Sequence, residues 1–351
     1  MSLNRLRASI AAGLATTTLG LAAAVPAGAV SANPRGDHAA TTLRLGYLPN
    51  LTHAADLIGI AGNYFQNALP QGVTLSTTAF NAGPDVVTAL FGGQLDAGYF
   101  GPSPALTAFT ASNGAYQIVA GAASGGAAFV VQPEIVKAAD LKGKTVSSPQ
   151  LGNTQDVSLR VWLKSKGLRT TTVGTGDVTI SPQSNSNIVT AFQAKAIAGA
   201  WVPEPYVQQL LAAGGHVLVD EATLWPKHQF ATTVLVVSKA YLKANPAIIT
   251  GLIKGEIAAI NHLNANKPNA EAEITTAIKN ATGKTISPSI LHPALANVTL
   301  TYDPIASSIT TDAKNAYALN FLTTKSVKGL YDLTLLNKVL KAAKLKPVAT
   351  S

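Results

Sequence analysis

The chain contains no cysteine. That excludes disulfides, thiol nucleophiles and thiolate-ligated metals. It also excludes a lipid-modified N-terminal Cys as a tether to a membrane. Charge is scarce, with Asp, Glu, Lys and Arg making up 12% of the chain and only 17 acids in 351 residues; no catalytic carboxylate dyad stands out. Gly143-Lys144-Thr145 and Gly283-Lys284-Thr285 resemble the end of a phosphate-binding loop, but Ala138 and Ile278 stand where that loop needs its first glycine. There is no G-x-S-x-G, no H-E-x-x-H and no close pair of histidines. An enzyme is therefore not expected, and neither a cofactor nor a metal is called for. Beyond the N-terminus no segment reaches a membrane-spanning length without charge or Pro/Gly interruption.

What is present begins with a leader. Arg5 and Arg7 precede a mostly apolar run from Ala8 to Ala24, and Pro26 breaks it before Ala27-Gly28-Ala29, a small-x-small cleavage site. Val30-Ser31-Ala32 offers a second site. A membrane anchor is the competing reading, but the run is short and Thr16 to Thr18 dilutes it. Residues 1–29 are thus expected to be a signal peptide and 30–41 a polar linker, with the protein exported. Loss of Arg5 and Arg7 lowers the formal charge from +9 to +7. Lys338, Lys341, Lys344 and Lys346 form the one basic cluster, read as the solvated face of a terminal helix. It lacks the aromatics and arginines of a nucleic-acid surface.

The remainder is 47% hydrophobic and long enough for two lobes. Strand and helix signals alternate with short loops, which predicts parallel sheets covered on both faces. Strands are expected over 43–47, 73–80, 97–100 and 116–122. Between them lie a helix over 53–61 capped by Thr52, one over 85–91 with Pro84 in its first turn, and one opened by Ser103. The pattern restarts with strands at 145–147, 178–181, 199–202 and 217–219 and helices over 155–166, 187–196 and 206–213. A long strand over 230–238 follows, and the chain from Lys239 onward reads as helical.

Two stretches are near copies at an offset of 102 residues: VTALFGGQLDAGYFGP from Val87 and VTAFQAKAIAGAWVPE from Val189. Either Ala/Val/Gly words have recurred by chance, or one helix–turn–strand unit serves each lobe. In the second case Tyr99 and Trp201, near strand ends, either belong to the cores or stand on facing walls of one cleft. The cleft-edge loops 48–53, 81–84, 101–104, 148–155, 183–187 and 203–205 contain no Lys or Arg. They are rich in neutral donors and several open into helices, whose first N–H groups lack partners. At Leu151-Gly152-Asn153-Thr154-Gln155 the amides of Thr154 to Asp156 are expected to face an oxyanion, unless this is an ordinary capped helix whose Asp156 competes with any anion. His53 is either a ligand donor or a surface residue. Glu204, between prolines, accepts either from a ligand amine or from a backbone N–H.

The words GYLPNLTHA, FNAGP, LDAGYFGPSPA, AGAASGGAAFVV, DLKGKTV, PQLGNTQD and GAWVPEP, in that order, resemble the exported substrate-binding proteins of ABC importers in the nitrate/sulfonate/taurine group. They span about Leu43 to Lys243. The resemblance implies an α/β fold of the type II periplasmic-binding-protein kind: two α/β lobes, a two-strand hinge and a helical C-terminal region. It places lobe one at 42–128 plus 232–351 and lobe two at 129–231, with crossings near Gly126 to Gln132 and Ala231 to Val237. It implies ligand contacts from Asn81, Gly83, Gly101, Ser103, Ser124, Gly152, Asn153, Thr154 and Gln155, completed by Trp201 and Glu204. One departure is Ala198, where relatives often carry an acid. The implied role is capture of a small anion or zwitterion by a monomer, lobe closure, and delivery to a membrane permease, in the periplasm or at the cell surface. An aliphatic sulfonate or taurine is the favoured ligand; nitrate, bicarbonate and a pyrimidine precursor of thiamine are served by similar scaffolds. An enzyme on the same scaffold would need a catalytic pair in the cleft, and a cytoplasmic sensor conflicts with the leader.

Overall fold

The computed structural model describes residues 41–349. The leader over 1–29 and nearly all of the linker lie outside the described residues. The first half runs β1 (Thr42–Tyr47), a 3-10 turn at Leu51–His53, α1 (Ala54–Ala61), α2 (Tyr64–Ala68) and β2 (Thr74–Ala79). It continues through α3 (Gly83–Phe91), β3 (Ala97–Phe100), α4 (Pro102–Ala111) and β4 (Tyr116–Gly125). Then come β5 (Ala127–Val131), β6 (Thr145–Ser147), α5 (Thr154–Ser165), β7 (Thr179–Ile180) and α6 (Asn185–Gln193). β8 (Gly199–Pro203), α7 (Tyr206–Ala212) and β9 (His216–Asp220) complete that block. β10 (Ala231–Ser238) leads into α8 (Lys239–Ala244), α9 (Pro246–Ala265), α10 (Lys267–Thr282) and α11 (Pro288–Ala296). The short β11 (Val298–Leu300), α12 (Ala306–Ala318) and α13 (Thr334–Ala342) close the chain. Among the described residues no helix is long and apolar enough to cross a membrane.

Two sheets result. One has six strands in the order β11-β4-β10-β3-β1-β2, the other five in the order β7-β6-β8-β5-β9. The parallel sheets expected from strand–helix alternation are in fact mixed. β1 is parallel to β2 and β3, and β6 to β7 and β8, but β10 runs antiparallel to β3 and β4, and β5 antiparallel to β8 and β9. The cause is connectivity. β5 and β10 are the strands reached on passing from one sheet to the other, so each enters its new sheet from the opposite end. Central strands are covered on both faces and read as unbroken apolar runs; β5 and β8 are buried throughout.

The duplicated stretch occupies the same place in both sheets. α3 and β3 in one, α6 and β8 in the other, start at matched positions, and the turn between helix and strand uses a left-handed residue each time, Gly93 (φ 65°) and Lys195 (φ 55°). β3 lies between β1 and antiparallel β10; β8 lies between β6 and antiparallel β5. Two local expectations change. Asn50, not Thr52, caps the first helical turn, its Oδ1 accepting from Thr52 N at 3.0 Å. Ser103 is inside α4 rather than capping it, because Pro102 starts the helix behind Gly101.

The chain crosses from the six-stranded to the five-stranded sheet at Gly125-Gly126, both with positive φ (80° and 71°). Only glycine adopts these angles freely. Space is short as well: a Cβ on Gly126 would meet Val298 Cγ2 at 2.6 Å. The return runs through 221–230 into β10.

Candidate ligand-binding cleft

Strand tips from the two sheets meet in a seam where buried polar side chains collect. In the six-stranded lobe Asn50, Thr52, Ser103, Ser124, Thr232 and Asp312 are buried; in the other Asn153, Thr154, Gln155, Glu204 and Glu221 are. Polar groups are rarely buried without partners, so this concentration marks a surface built for something other than core packing. Thr154 at the start of α5 reaches across the seam, its Oγ1 lying 3.4 Å from Ser103 N. A Cβ on Gly101 would collide with that same hydroxyl, so Gly101 is what allows the approach. Ser103 Oγ donates to Asp312 Oδ2 at 2.7 Å, joining α4 to α12. At the hinge side Leu51 N donates to Glu204 O (3.2 Å) and Glu204 N to Gly126 O (2.8 Å). Thr232 Oγ1 donates to Gly125 O and Thr233 Oγ1 to Thr52 O, fixing β10 beside the crossing. At the outer side Gln150 Nε2 donates to Asp85 Oδ1 (3.0 Å) beside a cavity of about 450 Å³ that Asn81 and Gln183 also line.

Three carboxylates in the seam, Glu204, Glu221 and Asp312, have no cation among the described residues. Glu221 accepts from Ser158 Oγ (2.8 Å) and Trp201 Nε1 (2.6 Å), and burial raises its pKa to about 7 despite these bonds, with Asp312 adding to the rise. The buried Trp225 N–H makes no well-formed hydrogen bond, yet it lies close enough to Glu221 to favour the charged form. Asp312 is likewise pushed to about 7 by burial, with only Ser103 opposing. Glu204 is raised by burial and drawn back by Gln208 and Asn297, whose amides donate to its Oε1 at 2.8 and 2.7 Å. None of the three forms an ion pair among the described residues.

Gly101, Ser103 and Thr154 come together, and Ser124 stands near the crossing, its Oγ accepting from Phe230 N at 3.4 Å. Gly152, Asn153 and Gln155 belong to the same α5 turn, but its amides are largely occupied by the chain itself. Asn153 Oδ1 takes Thr154 N, Asn153 O takes Asp156 N, and Asp156 Oδ2 takes Gly152 N. Of the amides expected to face an oxyanion, those of Thr154 and Asp156 are thus taken by Asn153, while the Asp156 carboxylate, which Ser148 and Arg160 hold in place, sits on Gly152 N.

The aromatic walls are a correction. Tyr99 is fully buried in the core of the six-stranded lobe, stacked at 6.0 Å on Phe65. Trp201 is fully buried in the core of the other, packed on Phe129 and Trp162. Side chains alternate along a strand, and these two point into separate cores; the cleft is reached two residues later at Gly101 and three later at Glu204. His53 is buried, neither surface nor free, with Nδ1 3.1 Å from Asp56 Oδ2. Gly83 serves helix packing, since a Cβ there would strike Pro104. Asn81 is exposed on the rim of the outer cavity.

Thr232, Glu221, Asp312 and Asn297 were not legible as seam residues, and Asn50 only as a member of the cleft-edge loop 48–53. Glu221 follows β9 in a region without a motif, and Asp312 lies in the C-terminal helical region, which carries no motif either. Arg160 was missed because it is not in a loop. It comes up from the second turn of α5, fully buried, with Nε 2.9 Å from Asp156 Oδ2.

Two α/β lobes joined by two crossing segments, with a polar seam between them, define a two-lobed α/β fold. Residues 36–279 match the sequence model of the NMT1-like family, and the chain belongs to that family. It is 30% identical over 200 residues to the taurine-binding periplasmic protein of Escherichia coli (strain K12), covering 57% of this chain and 60% of that one. A Brucella abortus (strain 2308) protein described provisionally as a binding protein is 31% identical over 181 residues, 47% of this chain and 54% of the relative. The chain thus spans about half the length of these curated relatives. The fold is similar to that of the alkanesulfonate-binding protein SsuA from Xanthomonas axonopodis pv. citri bound to MOPS, with TM-score 0.68, 19% identity and coverage of 82% and 96%. It is similar also to the periplasmic nitrate-binding protein NrtA from Synechocystis PCC 6803, with TM-score 0.69, 15% identity and coverage of 86% and 89%.

Proposed function

We propose that this protein is the exported solute-binding component of an ABC importer. It captures a small organic anion or zwitterion between its lobes and hands it to a membrane permease. An aliphatic sulfonate or taurine is the ligand class the seam supports best. The observation that carries this reading is the pairing, in one buried seam, of neutral donors from both lobes with carboxylates that lack a cation. Thr154 Oγ1 and Asn50 Nδ2, whose protons no bond among the described residues uses, suit an oxyanion without a formal counter-charge, while Glu204, Glu221 and Asp312 suit an amine at the ligand's other end. Bare nitrate or bicarbonate, like a sulfonate without an amine, would leave those carboxylates uncompensated, so within the sulfonate class the seam favours taurine. Lobe closure is a hinge motion about Gly125-Gly126 and the 221–230 return, where few residues need to change angle.

A thermal-shift panel of taurine, alkanesulfonates, nitrate, bicarbonate and thiamine-type pyrimidines tests the assignment, because a ligand that binds only the folded state must raise the melting temperature. Taurine and short sulfonates are expected to give the rise. A response confined to nitrate, or to the pyrimidines, would replace the ligand class; silence across the panel would remove the binding role.

A further inference from the structure

Outside the cleft, a cavity of about 390 Å³ lies between the end of α5 with the loop after it and the turn that follows α12. Its lining brings together Arg160, Lys164, Arg169, Thr170, Thr172 and Asn320, and no carboxylate lines it. Arg160 is 1% exposed. Its Nε is held by Asp156 and its Nη1 donates to Thr171 O at 2.6 Å, but Nη2 is buried without any hydrogen-bond partner. A buried guanidinium edge left unpaired is costly and uncommon. Lys164, one turn further along α5, is exposed and forms no ion pair among the described residues. Arg169 is paired with Asp177 at 3.2 Å, with its side chain almost wholly in solvent. The facing turn adds little negative potential, since the carbonyls of Asn315, Ala316 and Tyr317 are already bonded to the amides of Leu319, Phe321 and Asn320.

We propose that this cavity is a second binding pocket, specific for a multi-oxygen anion of the sulfate or phosphate class, held by Arg160 Nη2, Lys164 and the hydroxyls of Thr170 and Thr172. The guanidinium edge and ammonium supply charge, and the hydroxyls turn to meet whichever oxygen remains. The pocket takes its walls from both lobes, and Arg160 also borders the cavity at the outer side of the cleft. Through Asp156, Arg160 reaches Gly152 and Ser148 in the cleft loop.

The test is calorimetric titration of sulfate, and separately of inorganic phosphate, into the exported chain in chloride buffer without any cleft ligand, so it does not depend on the ligand assignment above. One saturable site is expected for at least one of the two anions. A Lys164→Ala/Arg169→Ala double variant, altered only at exposed side chains, is expected to weaken it at least tenfold. A Lys338→Ala/Lys341→Ala variant, which removes the same charge elsewhere, is expected to leave it within about twofold. The absence of saturable heat, unchanged affinity in the first variant, or an equal loss in both variants would each overturn the pocket.

Discussion

Asp312 is where the chemistry of single residues is sharpest. It is buried, it has Ser103 as its hydrogen-bond donor, and it raises the pKa of Glu221 across the seam. An acid whose folded pKa lies above its unfolded value contributes stability that is complete below the unfolded value, near 4, and lost as pH rises through the folded one, about 7. Without ligand, Asp312 therefore works against the fold above neutral pH; a ligand ammonium reverses the sign by stabilising the charged form. Asp312→Asn is expected to raise the melting temperature of the unliganded protein at pH 8. The same variant should cost taurine at least tenfold in affinity while leaving ethanesulfonate, which lacks the amine, within about threefold. Calorimetry with the two ligands checks this, and an equal loss for both would take the amine away from Asp312. Sequence could not have singled this residue out. Asp312 meets Ser103 and Glu221 only because α12 returns to the seam long after both have been laid down, and no local pattern records that return.

At the scale of elements, much more was legible. Proline at helix starts, glycine at helix ends and apolar runs gave most strands and helices near their observed bounds, because those signals are local and steric. The duplicated unit was legible as well, though not the left-handed residue that each copy places in its turn, Gly93 and Lys195. Strand direction was not, since a buried strand such as β5 or β10 has the same composition whichever way it runs. The wall role of Tyr99 and Trp201 failed for a related reason: the repeat fixed their position along the strand but not the face each one serves. Gly126 shows what an element boundary demands. At φ 71°, with Val298 and Thr52 close by, it has neither the backbone freedom nor the room for a side chain. Gly126→Ala is expected to lower unfolding free energy by about 1–3 kcal/mol, the usual cost of a non-glycine residue held in that region. A urea melt measures it, and an unchanged midpoint would mean the crossing tolerates another geometry.

The whole molecule poses the question of what holds the lobes together. Every ion pair among the described residues stays within one lobe. Arg44–Asp96, His53–Asp56, His262–Glu273 and His292–Glu271 lie on one side, Arg160–Asp156 and Arg169–Asp177 on the other. The seam is joined by Ser103 with Thr154, Leu51 with Glu204, Asn297 with Glu204 and Gln150 with Asp85, contacts in which at least one partner is neutral. Such bonds contribute roughly 0.5–1.5 kcal/mol each when both partners are neutral and somewhat more when one is charged. In the proposed hinge motion they would be broken and remade, which a network of buried ion pairs would resist. Screening by salt acts on charge pairs near the surface and leaves short, buried hydrogen bonds almost untouched. Closure around the ligand should therefore be nearly independent of ionic strength. Radius of gyration from solution scattering, with saturating taurine in sodium chloride from roughly 0.05 to 0.5 M, is expected to stay at one compact value. Expansion toward the ligand-free value at high salt, with the ligand still bound, would show that long-range charge attraction closes the jaws and that the neutral seam does not.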